Sequence, residues 1–205
     1  ALNWESENLN ALVQAFYPGE KAGTAIADLL WGEYSPSGRL PVTFYKSVDD
    51  LPGFGDYSME NRTYKYYTGD PLYPFGHGLS YTRFAYTGLS VAETADATQP
   101  LDVMATVTNT GSMASREVVQ VYLQPQDRPN RSVPHVELAA FDVIDLAPGE
   151  SKEVTLTVPA DRLGYYDDNG QLVPANGSSM VISIGGGQPG TTETANATVT
   201  FRASE

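Results

Sequence analysis

The sequence predicts two unlike parts: an incomplete α/β unit over residues 1–45, then an all-β sandwich over residues 82–205. Three observations predict this. One amphipathic helix lies between two short apolar runs near the start. A stretch at 46–81 is crowded with Tyr, Pro and Gly and shows no period. Beyond it, short runs alternate apolar and polar residues between turn signals. A period near 3.6 belongs to helices and a period of two to strands, so the change of period marks a change of architecture.

The helix is expected over Glu20–Trp31. Ala22, Ala25, Ile26, Leu29 and Leu30 share one face at helical spacing. Pro18-Gly19 breaks the chain before it, and Gly32 sits where a left-handed residue ends a helix. Ahead of it, Ala11–Phe16 reads as a buried strand. After the turn Ser35-Pro36-Ser37-Gly38, Leu40–Tyr45 reads as a second strand, placed at an edge or at its own first residue by Pro41. Strand, helix, strand over this span is a β-α-β unit. Alone it has too few strands to bury both faces of its sheet. The expectation is therefore the tail end of an α/β domain, with the missing strands before Ala1 or in another chain.

Seven strands are expected in the second part: Phe84–Val91, Leu101–Thr108, Glu117–Gln124, Val136–Ile144, Ser151–Val158, Ser179–Ile184 and Ala197–Arg202. Val103, Ala105 and Val107 are apolar at alternate positions, as are Val119, Val121 and Leu123, and Val154, Leu156 and Val158. The turns are Asn109-Thr110-Gly111, Ala147-Pro148-Gly149, Asp168-Asn169-Gly170 and the run Gly185–Gly190. About seven short strands with such turns give a sandwich of the immunoglobulin or fibronectin type. The lack of cysteine, and of Trp after Trp31, points away from an antibody-type domain. No internal repeat or low-complexity tract is evident.

Composition narrows the function classes. The chain has 12 Lys+Arg against 25 Asp+Glu, a formal charge of -13. Both parts are acidic, so nucleic acid and anionic membrane surfaces are not expected partners, since both are bound through basic side chains. A neutral polyol such as a sugar is compatible. No run of eighteen apolar residues occurs, so no membrane-spanning helix is expected. No cysteine means no disulfide, thiolate metal site or cysteine nucleophile. The first residue is Ala1 and no signal peptide precedes it, so the chain reads as a processed or excised piece. The compartment is not fixed by these features.

Each candidate for chemistry also has a plainer reading. His77 and His135 stand far apart, with no second ligand at helical spacing, and read as structural; no metal or other cofactor is expected. Asp167-Asp168-Asn169-Gly170 resembles the start of a calcium loop, but the later ligands are absent and a hairpin turn explains it. Ser80 near His77 lies in a glycine-rich turn, not a nucleophile elbow. Gly185-Gly186-Gly187 opens no helix and lacks the Lys-Ser/Thr of a phosphate loop. Glu5 with Glu7, and Asp49 with Asp50, read as solvated surface acids. Tyr57, Tyr64, Tyr66, Tyr67, Tyr73, Phe75 and Tyr81 have two uses: gluing a long loop to its neighbours, or stacking on sugar rings. Asn61, Asn130, Asn176 and Asn196 carry the Asn-x-Ser/Thr pattern, which matters only in a glycosylating compartment.

Three blocks together resemble one family. Tyr17–Gly32, with its Pro18-Gly19-Glu20-Lys21-Ala22-Gly23 opening, is similar to the late second domain of glycoside hydrolase family 3. So is Ser35–Tyr45 with Gly38-Arg39-Leu40-Pro41. The third block is Glu60–Tyr67, followed by Pro71–Thr82 with Tyr73-Pro74-Phe75-Gly76-His77-Gly78. Val119–Leu123 and Leu146–Lys152 match the fibronectin-type-III-like domain that closes many members. The resemblance covers nearly the whole chain. It implies a retaining exo-β-glycosidase acting on terminal β-linked xylose or glucose, leaning toward the β-xylosidases. It also implies what is absent. The Asp nucleophile comes from an N-terminal (β/α)8 barrel and the acid/base from an earlier part of the α/β domain, so no catalytic or substrate-binding residue is assigned here. The implied partners are that barrel, the rest of the α/β domain, and a β-linked oligosaccharide. The expected layout is a domain tail at 1–45, an interdomain strap at 46–81 and the sandwich at 82–205. Arg39, a fixed fork of donors, is expected to hold the helix end to the loop after it. The alternative function is a free-standing carbohydrate-binding or adhesion module, against which the unfinished β-α-β unit speaks.

Overall fold

The computed structural model describes residues 1–129, 133–167 and 169–203. The expected helix forms as α2 (Ala22–Trp31), after an unforeseen short α1 (Asn3–Asn8) that lacks any periodic pattern. Gly32 adopts φ 77°, and Glu33 N–H bonds Asp28 O at 2.9 Å, closing the helix in the left-handed manner expected of that glycine. The two flanking strands do not form. Residues 11–16 pair with nothing described and are exposed, with Val13 at 52%. Leu40–Tyr45 makes only an isolated bridge, Phe44 to Tyr73, and Leu40 exchanges bonds with His77 O and Gly76 N–H. The reason is local: a strand is stable only when a neighbour takes its backbone groups, and among the described residues only Leu72, Tyr73, Gly76 and His77 bond the backbone of Leu40–Tyr45. The strap adds a 3-10 turn at Val48–Asp50 and α3 (Thr63–Tyr66).

All seven sandwich strands form where the alternation puts them: β1 (Phe84–Ser90), β3 (Leu101–Asn109), β4 (Ser115–Pro125), β5 (Glu137–Leu146), β6 (Ser151–Val158), β9 (Ser179–Gly185) and β10 (Thr194–Phe201). Between them lie the short β2 (Thr94–Ala95) and a hairpin, β7 (Gly164–Tyr166) with β8 (Leu172–Pro174). One sheet runs β1-β3-β6 and the other β2-β10-β9-β4-β5. Pairing is antiparallel except where β2 meets β10. Val103, Val107, Val119, Val121, Val158, Ile182, Ile184 and Val199 are fully buried between the sheets. Each such side chain contributes roughly 1.5–3 kcal/mol. At one end, the fully buried Asn109 amide bonds Met113 O and Leu146 O and accepts from Thr82 O–H, so no polar atom is stranded there.

The core belongs to the sandwich alone. Among the described residues of 1–81, Leu29 is the one buried hydrophobic side chain. β4 is also buried on both parities from Val119 to Leu123. One face looks into the core; the strap lies over the other.

Candidate functional site

The site assembles where the strap and the loop after α2 meet the open end of the sandwich. Glu117, on β4, stands on the same parity as Val119, Val121 and Leu123 and so points between the sheets. From the opposite sheet, Tyr86 on β1 donates its hydroxyl to Glu117 Oε1 at 2.7 Å. Arg39 enters from the loop after α2. Its Nη2 lies 2.6 Å from Glu117 Oε2, and its Nε donates to Gly186 O at 2.8 Å. Its Nη1 reaches back to Ser37 O at 3.1 Å. The side chains of the pair are 10% and 2% exposed, so this ion pair is desolvated. Gln120 donates to the same Gly186 carbonyl at 2.9 Å and accepts from Tyr122 O–H at 2.7 Å.

Glycines permit this closeness. A Cβ on Gly186 would strike Glu117 Oε1, and one on Gly78 would strike Gly38 O. Gly76, at φ 78°, packs against the Tyr122 hydroxyl. Electrostatics match the geometry. Burial pushes the Glu117 carboxyl above its ordinary range, and the Arg39 charge and the Tyr86 hydroxyl pull it partly back. Tyr86 is held far above the usual phenol range by burial and by the Glu117 charge, so it stays a donor.

A second cluster continues the seam. Tyr64 stacks on Phe75 with centroids 4.0 Å apart, meets Tyr122 edge-on, and accepts from Leu138 N–H at 3.0 Å. Lys65 and Arg162 both bond Glu137 Oε1. His135 N–H bonds Lys65 O. The arrangement is a clasp: both Glu117 oxygens are occupied and shut away from solvent. Its chemistry is to hold, not to transfer protons.

The profile of the glycosyl hydrolase family 3 C-terminal domain matches residues 1–81, and that of the fibronectin type III-like domain matches residues 117–187. Xylan 1,4-beta-xylosidase of Xylanibacter ruminicola is 42% identical over 82% of this chain. The chain belongs to glycoside hydrolase family 3. Thermostable beta-glucosidase B of Acetivibrio thermocellus is 34% identical over 87% of this family 3 chain. Among solved structures, a β-glucosidase from Erythrobacter marinus superposes with a TM-score of 0.81 at 36% identity over 96% of the chain. The Listeria innocua β-glucosidase in complex with glucose gives 0.82 at 28% identity over 98%. The chain spans 19% of the Xylanibacter protein and 25% of the Acetivibrio one. It covers 26% and 29% of the two solved chains. As the resemblance implied, the chain combines a family 3 C-terminal α/β segment with a fibronectin-like sandwich.

The residues named from sequence fall into place around the clasp. Arg39 does touch Ser37 O and Gly38 O, but its strong bonds go to the sandwich, which corrects its expected role as a tie within the helix–loop turn. The cause is reach: the long Arg39 side chain extends past its own turn to Glu117 and the Gly186 carbonyl. His77 stacks on Tyr73 at 5.4 Å; burial and then the Arg39 charge lower its proton affinity. His135 sits against Arg128, far from His77 in the chain, with its proton affinity lowered by burial and by that charge. Ser80 donates to Thr82 O and makes no pair with His77. Asp50 takes Ser47 N–H in a capping box, so the Asp49–Asp50 pair is structural. Glu5 and Glu7 ride on α1. Asp167 accepts from Asn169 N–H and Gln171 N–H in the expected hairpin turn, with Gly170 at φ 73°. Asp168 and Asn130 lie outside the described residues. Gly185 ends β9 and the Gly186 carbonyl serves the clasp. Of the aromatic set, Tyr64, Tyr66, Tyr67, Tyr73 and Phe75 are half-buried, whereas Tyr57 is 91% exposed. Asn61 and Asn196 are exposed and Asn176 is half-buried.

Glu117, Tyr86, Gln120 and Tyr122 were not singled out from sequence. A signal existed for one of them. An acid on the inward parity of a strand needs a partner when buried, and Glu117 occupies that parity.

Proposed function

We propose that this family 3 chain is the structural C-terminal portion of a retaining, exo-acting β-glycosidase that releases terminal β-linked xylose or glucose. In this reading the nucleophile and acid/base come from outside residues 1–205, from a (β/α)8 barrel and the earlier part of the α/β domain. Residues 1–45 complete that domain, 46–81 strap it to the sandwich, and 82–205 form the sandwich. The observation that carries the reading is the bare first part. Trp4, Phe16, Ile26, Leu30 and Trp31 are 37–80% exposed, which suits a layer that packs under further structure. The names of the relatives supply the substrate class. The commitment of the carboxylates supports the rest. Retaining hydrolysis needs two carboxyl groups about 5–5.5 Å apart, one free to attack. In the concave surfaces here, Glu137 is tied to Lys65 and Arg162, Asp145 to Arg116, and Glu150 to Lys152, so that among the described residues Asp161 has no second uncommitted carboxylate beside it in its surface.

The test is hydrolysis of 4-nitrophenyl β-xyloside and β-glucoside by residues 1–205 alone and by a longer polypeptide carrying the barrel. Activity is expected only in the second, and its preference between the two substrates names the sugar. Turnover by residues 1–205 alone overturns the proposal. Tight oligosaccharide binding with no turnover in either polypeptide favours the free-standing module instead.

A further inference from the structure

A concave site of about 350 Å³ opens where α3, the start of β5 and β7 converge. That is at the lower end of small-molecule sites, about 300–1,000 Å³. Its walls mix two kinds of group. Tyr66, Tyr165 and Tyr166 line it, the last two on alternate faces of β7, and Tyr166 is 54% exposed. Lys65 and Arg162 face Glu137 and Asp161, two positive charges against two negative, so the site is electrically balanced within a chain of formal charge -13. Both cations sit on one oxygen of Glu137, Oε1. The Glu137 side chain is 13% exposed, held rigidly by those two bonds.

We propose that this site binds a neutral, hydroxyl-rich ligand: a sugar unit lying against Tyr166, with its hydroxyls bonded to Glu137, Asp161 and Arg162. Charge balance selects against anions and cations, since either would meet an opposing pair already neutralised. A purely apolar ligand would leave ionised groups without water, at several kcal/mol each. A polyol both donates and accepts, and its ring C–H face suits a tyrosine. The inference rests on these residues and not on the location of the catalytic carboxylates. It therefore stands or falls separately from the proposed function.

Titration of isotope-labelled residues 1–205 with xylotriose and cellotriose, followed by amide chemical shifts, tests it. Shifts are expected at Lys65, Asp161, Tyr165 and Tyr166, with weak affinity. Tyr166→Ala is expected to weaken binding about tenfold, and Glu137→Gln to weaken it while the far-UV spectrum stays unchanged. Tyr166 is exposed, so its loss leaves the fold in place. The inference is overturned by saturating trisaccharide that shifts none of these amides, by shifts confined to the exposed Trp4–Trp31 face, or by inorganic phosphate that shifts them more than sugar does.

Discussion

At the scale of single residues, Arg39 and Glu117 decide how the two parts hold together. A buried pair is a poor source of net stability, but removing one partner strands the other charge at a cost of about 3–5 kcal/mol. Arg39→Ala is therefore expected to lower the urea midpoint of the sandwich sharply. Arg39→Met combined with Glu117→Leu should recover most of the loss, because neither variant residue leaves a charge behind. In an active longer polypeptide, Arg39→Ala should depress Tm far more than it alters KM, and the opposite ranking would remove the clasp from its structural role. His77 adds a pH dependence. Its folded-state proton affinity lies below the ordinary value of 6.5. Its contribution is thus present above pH 6.5 and drains away as pH falls toward the lower folded value. His77→Asn should flatten that part of a Tm-against-pH curve. Glu117 illustrates what sequence conceals. Its parity was readable, but Arg39 lies 78 positions away, and no local pattern joins a turn arginine to a strand acid.

At the scale of elements, the strap is two things. Residues 63–67 and 71–78 pack on β4 and the loop after α2, while Phe54 and Tyr57 are 99% and 91% exposed. Brief chymotrypsin treatment should cut after Phe54 and Tyr57 and spare Tyr64 and Phe75. Early cleavage at the latter two would mean the strap does not seat. Gly78→Ala drives a Cβ into the Gly38 carbonyl, a backbone atom that cannot swing away. A loss of roughly 1–3 kcal/mol is expected, read as a lower Tm with accelerated cutting at Phe75. The strands of the sandwich were legible because alternation is local and their partners lie within the same chain. The runs at 11–16 and 40–45 carried strand-like composition, yet composition cannot supply a neighbour. They remained irregular for want of one, with Phe16 at φ 49°.

At the scale of the whole molecule, order is lopsided. The sandwich holds the core; the first part displays its apolar residues. The chain's two tryptophans, Trp4 and Trp31, lie in that part and are 64% and 80% exposed. Fluorescence of residues 1–205 should resemble indole in water and change little when the sandwich unfolds. In a longer polypeptide that carries the proposed barrel and α/β partner, emission should shift to the blue if these rings are covered. An unshifted spectrum there would separate this face from the proposed contact.

The covering of β4 by Tyr64, Phe75 and Gly76 also bears on how such a protein is cut and recombined. A graft that begins at Thr82 would carry a sandwich stripped of its outer skin, with the Gln120 and Tyr122 flank laid bare and Glu117 stranded. The smallest transplantable unit starts upstream, near Gly38, and inheritance by shuffling would have to move the two pieces together.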